Sequence, residues 1–258
     1  MAKTPTIIAA FDRLRNHKTP IPPKLGLSHA ANFLYMLSGN VPDPYDVRVM
    51  DVALILHAEH EMNASTFSCT VTASTLADMY SIIVSGICAL RGPLHGGANI
   101  EALKTVMEVG DPSKAEDYVT QALAQKKRIM GFGHRVYKTW DPRYRILKRI
   151  GADLAEKKGQ TKLFETAVAI ENSALRHLAG APIFPNVDSY SGVVFHMLGI
   201  PIDLFTPIFA MSRIAGWTAH SIEYLESNRL IRPKALYVGQ TGLQYVPLEQ
   251  RSALGGQI

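Results

Sequence analysis

Asp43-Pro44-Tyr45-Asp46-Val47-Arg48-Val49-Met50-Asp51-Val52-Ala53-Leu54-Ile55-Leu56-His57-Ala58-Glu59-His60 reads as an amphipathic helix with a marked beginning. Asp43 supplies a side-chain acceptor for the first free N–H groups, and Pro44 fits the first helical position because its missing N–H has no intrahelical partner there. Val49, Val52, Ala53, Leu56 and His60 follow at spacings of three and four, which places them near one face. On that reading His57 and His60 share a helix face.

The same punctuation recurs on either side. Upstream, Thr6–Arg15 makes a short apolar helix. Pro20, Pro22 and Pro23 force an extended connection, and Ser28 caps a helix closed by Gly39. Downstream, Thr70–Leu90 reads as one long apolar helix ended by Gly92-Pro93. Gly96-Gly97 opens another that runs to Gly110, and Ser113-Lys-Ala-Glu116 is a capping box for a helix to about Lys127. Asp141-Pro142 repeats the Asp-Pro start, and Gly159 ends that helix after Lys157-Lys158. Thr161–Leu178 and Leu204–Glu226 complete the set, while Arg232–Ile258 is irregular, with Tyr237, Val238, Tyr245 and Val246 in short strand-like pieces. No alternating run is long enough for a central strand, and there is no repeat or low-complexity tract. The fold class is therefore all-α. Changes in character near Gly92–Gly110 and Ala179–Ser191 divide the chain into residues 1–92 and 191–258 on one lobe and 93–190 mainly on a smaller one.

With 258 residues, 47% of them hydrophobic, the chain can bury a substantial core. Its net charge of +5 suits an anionic partner, but the cations are dispersed rather than tracted, which speaks against nucleic acid. No run reaches the ~18 apolar residues of a membrane span; Val193–Met211 comes nearest and is interrupted by His196, Asp203 and two prolines. Cys69 and Cys88 lie in apolar surroundings and read as buried, reduced thiols.

Four clusters could carry chemistry. His57-Ala-Glu-His60 lacks the ligand set of a zinc protease, so its histidines are structural or ligand-contacting. His95 stands in Gly92-Pro-Leu-His-Gly-Gly97, where glycines allow close backbone approach. His134 stands in Gly131-Phe-Gly-His-Arg-Val-Tyr-Lys138, followed by Arg143 at the start of a helix, a position suited to an anion. Asp188, in Pro185-Asn-Val-Asp188, is a helix cap or a general base. Arg213 sits in an otherwise apolar helix and needs an anion, and Arg232 has no local partner. Histidines on glycine loops, one aspartate and three arginines without obvious pairs fit chemistry on a small polycarboxylate.

The order and spacing of these stretches resemble the citrate synthase family, of the type found in archaea and many bacteria. The match runs through Leu56–Ser65, Gly92–Asn99, Gly131–Lys138 with Asp141-Pro-Arg143, Pro185–Asp188, Ser212-Arg213 and Arg232-Pro233. The resemblance implies a helical homodimer whose smaller lobe closes over the substrates, a transferase joining acetyl-CoA to oxaloacetate, and a cytoplasmic enzyme without metal or redox cofactor. Carried onto matching positions, it makes Asp188 the base toward acetyl-CoA and His95 the donor to the thioester carbonyl, with His134 polarising the oxaloacetate ketone. His60, Arg143 and Arg213 hold oxaloacetate, with Arg232 reaching in from the partner subunit. Gly131, Phe132, Gly133, Lys138 and Asn186 belong to the CoA site.

Two departures accompany the resemblance. Ser189 follows the base where this type usually has Phe. The family also carries a helical stretch ahead of the region like Thr4–Arg15, so Met1 reads as an internal or artificial start, and apolar surface is expected to be exposed on the large lobe. A 2-methylcitrate synthase using propionyl-CoA, and an inactive carboxylate-binding or dimerising remnant, remain as alternatives; one methylene in an apolar pocket is worth only about 1–3 kcal/mol.

Overall fold

The computed structural model describes residues 1–251. It is built of helices: α1 Lys3–Arg15, α2 His29–Ser38, α3 Pro44–Ala58, α4 Ala64–Ser74, α5 Met79–Leu90, α6 Ala98–Val109, α7 Ala115–Ala124, α8 Pro142–Lys158, α9 Thr161–His177, α10 Asp188–Met197 and α11 Phe205–Glu226. Among the described residues there is no sheet; one isolated antiparallel bridge joins Phe132 to Pro185. No helix of the described residues is long and apolar enough to cross a membrane.

The caps read from sequence do their work. The Ser28 side chain accepts from the Ala31 N–H, Asp43 from Tyr45 and Asp141 from Arg143, while Gly39, Gly110 and Gly159 close their helices. Three expectations give way to longer-range packing. The helix expected over Thr70–Leu90 is two helices, since the chain turns at Leu76 (φ 62°) and Asp78 caps a new start. That turn folds α5 back on α4, where the Ser68 and Thr72 hydroxyls reach the Ser85 carbonyl and hydroxyl at 3.3 and 3.0 Å. The expected capping box at Ser113–Glu116 does not form. Asp111 caps a single 3-10 turn at Pro112–Lys114, and Glu116 pairs instead with Arg176 and His177 of α9. Finally, Tyr237, Val238, Tyr245 and Val246 are exposed and in no strand, and the rest of that tail beyond Arg251 lies outside the described residues.

Two apolar cores result. The larger gathers residues of α2, α3 and α6–α10, among them Phe33, Met50, Leu103, Leu147, Tyr190 and Phe195. The smaller lies between α4, α5 and α11, around the fully buried Trp217 with Cys69, Ile82 and Phe209. Cys69 is buried as expected, but Cys88 is exposed on α5, whose buried face carries Ile82, Gly86 and Leu90 instead. The expected exposed apolar surface is present: Ile7, Phe11 and Leu14 line one face of α1, and Phe67, Tyr80 and Val84 face outward from α4 and α5.

One buried carboxylate ties three helices together behind the loops. Glu171 of α9 accepts from Tyr144 Oη of α8 (2.9 Å) and from Tyr190 Oη of α10, and pairs with Lys148 Nζ at 2.8 Å. Tyr144 adjoins Arg143 and Tyr190 lies two residues beyond Asp188, so this network sets the relation between the starts of α8 and α10. Its charge is buried but fully engaged, the condition under which such a group is tolerated.

Candidate active site

The starts of α4, α6, α8 and α10, the loop at residues 133–136 and the inner face of α11 surround a pocket of about 640 Å³. His60, His95, His134, Arg143, Asp188 and Arg213 all line it, so six residues from separate stretches converge. Gly133 and Asn186 also reach it. Gly131, Phe132 and Lys138 do not line it, and Arg232 is exposed outside it, on an extended segment tethered by the Ile231 N–H to Ser74 Oγ (3.1 Å).

The histidine pair separates at the end of α3. That helix stops at Ala58 and Glu59 turns into extended backbone, so His57 and His60 do not share a helix face. His57 is buried, its Nδ1 donating to the Ala53 carbonyl at 2.7 Å, with Phe209 and Phe195 beside it. It is the structural member, and burial pushes its pKa down to about 4. His60 turns into the pocket, where burial and then the Arg143 charge hold it at about 4.

His134 is positioned by its own loop. The Val136 and Tyr137 N–H groups both donate to Nδ1 at 3.1 Å, so the hydrogen of the neutral ring sits on Nε2. Burial, followed by the Arg143 charge, lowers its pKa. The loop is pinned to the chain before α10. Gly133 N–H donates to the Phe184 carbonyl (2.9 Å), Asn186 N–H to the Gly131 carbonyl (2.9 Å), and Asn186 Nδ2 to the Gly133 carbonyl (2.8 Å). Gly131 is required there twice over. Its φ is +82°, and a Cβ would stand 2.8 Å from Ser189 Cα. Ser189 uses its hydroxyl to donate to the Gly131 carbonyl at 2.5 Å, so the residue that departs from the family's usual Phe adds a clasp to the loop.

His95 is fixed by α4. Its Nε2 meets the Ser65 hydroxyl at 2.9 Å and the Ser65 N–H at 3.4 Å, and Ser65 Oγ in turn accepts from the buried Trp217 Nε1 at 3.0 Å. Gly96 admits no side chain, because a Cβ would meet the Leu90 carbonyl at 2.4 Å. Burial, then the charge of Arg213, lowers the His95 pKa.

The arginines differ. Arg143 does have a partner: its Nε and Nη2 take both oxygens of Asp141 at 3.0 and 2.7 Å. The expectation that it is unpaired is thus corrected; the spacing of two across the helix start brings the pair together. Asp141 also accepts from the Val187 N–H (3.2 Å), linking the two helix starts. Arg213 fulfils the expectation. It is 2% exposed, donates only Nε to the His57 carbonyl (2.7 Å), lies over the Phe209 ring at 4.8 Å, and pairs with no carboxylate among the described residues. Burial and the nearby Arg143 charge lower its pKa to about 10, so it remains a cation.

Asp188 opens α10 but does not cap it. Its N–H donates to Asn186 Oδ1 (2.9 Å), which takes the cap's place, and its carboxylate makes no hydrogen bond among the described residues. Burial raises its pKa to about 6, against the pull of Arg143 and Arg213. The pocket thus combines two fixed cations, three neutral imidazoles and one basic carboxylate, a set that can hold a dianion, donate to developing oxyanions and accept a proton. No group of three or more His, Cys, Asp or Glu side chains able to hold a metal occurs among the described residues.

Sequence reasoning missed Ser65, Trp217, Asp141 and Tyr137. Asp141 was legible only as a helix start, and the Ser65–Trp217 contact spans 152 residues, which no local pattern announces.

Residues 1–234 match the family model described as citrate synthase, C-terminal domain. The chain is 50% identical over 251 residues to the citrate synthase of Synechocystis sp., covering 97% of this chain and 63% of that protein. The crystal structure of citrate synthase from Pyrobaculum aerophilum superposes with a TM-score of 0.90 at 49% identity, covering 96% of this chain and 62% of that one. The ternary complex of carboxymethyl coenzyme A and oxaloacetate with the citrate synthase of Thermoplasma acidophilum superposes equally well, with a TM-score of 0.90 at 40% identity over 96% of this chain and 67% of that one. The chain spans about two thirds of the length of the relatives it matches.

Proposed function

Because this chain belongs to the citrate synthase family, we propose that it condenses acetyl-CoA with oxaloacetate to give citrate and CoA. The single observation that carries the reading is the buried Arg213, which pairs with no carboxylate among the described residues and faces the same pocket as Arg143, His60 and His134, since a buried cation without a counter-anion calls for an anionic ligand. Arg143 and Arg213, with His60, hold the oxaloacetate carboxylates. His134 offers its Nε2–H to the ketone oxygen, which draws electron density from the carbon to be attacked. The Ser65 N–H on His95 Nε2 leaves the neutral ring's hydrogen on Nδ1, available to the thioester oxygen of acetyl-CoA.

Asp188 takes a proton from the acetyl methyl group as His95 stabilises the enol. A carboxylate with a pKa of about 6 is a stronger base than an ordinary one, and no side chain or backbone group among the described residues occupies its lone pairs. The enol carbon then bonds to the ketone carbon while the ketone oxygen takes the hydrogen from His134. Water cleaves the citryl thioester, releasing citrate and the CoA thiol. The chemistry asks for no metal or redox group.

In this reading the 131–133 backbone, Lys138 and Asn186 serve CoA, although the Asn186 side chain is already spent on the loop, so its contribution is through positioning. Residues 93–190 form most of the smaller, closing lobe. The exposed apolar faces support a homodimer in which Arg232 reaches the partner's pocket, and the resemblance alone supports a cytoplasmic setting. The test is thiol release from acetyl-CoA and from propionyl-CoA, each with and without oxaloacetate. Oxaloacetate-dependent release that favours acetyl-CoA upholds the proposal; preference for propionyl-CoA moves it to 2-methylcitrate formation, and no release with either removes it.

A further inference from the structure

Tyr137 touches both pocket histidines of the oxaloacetate side. Its backbone N–H donates to His134 Nδ1 at 3.1 Å, and its phenol lies 3.2 Å from His60 Nε2. His60 meets the other two rings face to edge, with centroids 4.8 Å (His134) and 5.4 Å (Tyr137) away, while His134 and Tyr137 lie tilted at 34° with centroids 4.7 Å apart. His60 makes no other side-chain hydrogen bond among the described residues, so the phenol is what orients its imidazole.

The direction of that bond follows from elementary chemistry. A phenol is a good donor and a poor acceptor, because its oxygen lone pair is delocalised into the ring, whereas an uncharged imidazole nitrogen is among the best acceptors a protein has. The phenol hydrogen therefore points to Nε2, and the hydrogen of the neutral His60 ring sits on Nδ1. Resting on the reading of this pocket as an oxaloacetate site, we infer that Tyr137 is a positioning residue that sets the orientation and tautomer of His60 through its phenol and of His134 through its backbone, so that one residue prepares both imidazoles for the substrate. The two roles separate cleanly: Tyr137→Phe removes only the first, keeping the backbone N–H and the ring packing.

The experiment is oxaloacetate binding by calorimetry, steady-state kinetics, and ¹⁵N chemical shifts of the histidine ring nitrogens, in the unsubstituted chain and in Y137F. The expected result is an oxaloacetate Kd and KM raised about fivefold in Y137F, the loss of one hydrogen bond, with kcat and the melting temperature nearly unchanged. The ¹⁵N spectrum should show His60 Nε2 as an unprotonated acceptor in the unsubstituted chain and a mixture of tautomers in Y137F, a change that a merely structural role does not produce. Oxaloacetate bound equally well by both proteins, or a protonated His60 Nε2 in the unsubstituted chain, overturns the inference alone. An unsubstituted chain that does not bind oxaloacetate overturns the pocket's assignment, and this inference with it.

Discussion

Replacing Asp188 by Asn should make the protein more stable while disabling it. The carboxylate lines the pocket and makes no hydrogen bond among the described residues, and burial raises its pKa from 3.8 to about 6. Between those values the folded state binds more protons than the unfolded state, so stability falls as pH rises through this window and stays reduced above it. A displacement of about two pH units at ~1.4 kcal/mol per unit amounts to about 3 kcal/mol at pH 7.5. The attraction of Arg143 and Arg213 is already contained in that balance, and the side chain keeps some exposure to the pocket, which makes about 3 kcal/mol the upper end. Asn keeps the shape and removes the charge. Denaturant unfolding of both proteins at pH 7.5 and pH 3.5 is the assay. D188N should be the more stable at pH 7.5, and the gap should close at pH 3.5, where Asp188 is protonated in the fold. A D188N protein no more stable than its parent at pH 7.5, or a gap independent of pH, would refute the argument that this carboxylate is held in a costly environment.

The same displacement should appear in the kinetics: kcat/KM should fall tenfold per pH unit below about 6, and a limb near pH 4 in a pH–rate profile would contradict the burial argument. Ser65→Ala removes the hydroxyl partner of His95 and leaves the buried Trp217 N–H unpaired; we expect kcat to drop about tenfold and stability by about 1–3 kcal/mol, read from kinetics and unfolding. Asp141→Asn should raise the oxaloacetate KM and cost about 3 kcal/mol at neutral pH by loosening a largely buried pair. Burial pushes the Asp141 carboxyl up, but Arg143 outweighs it and holds the pKa low, so this loss should shrink as pH falls below the ordinary carboxylate range.

Much of the fold is written locally. Asp43-Pro44, Asp141-Pro142 and the glycines at 39, 110 and 159 punctuate helices through short-range hydrogen bonds, which is why their reading holds. Where it fails, a distant partner decides. Glu116 is drawn to Arg176 and His177 rather than to a capping box, and the turn at Leu76 exists because α5 can bury Ile82 against Cys69 and Trp217. His60 leaves the helix of His57 because Glu59 is held outward by His220 on α11 (3.0 Å). At the site, glycine-flanked histidines and an arginine in an apolar helix are visible in the sequence because each is chemically out of place there. The groups that orient them are not, since Ser65, Trp217 and Tyr137 are ordinary residues until the fold brings them to a histidine.

The most direct test of the account is oxaloacetate-dependent thiol release from acetyl-CoA by the chain and by its Asp188→Gly variant, with oxaloacetate binding measured on both. The account predicts release by the unsubstituted chain, none above background by D188G, and oxaloacetate bound by both because Arg143 and Arg213 remain. Undiminished turnover in D188G would contradict it.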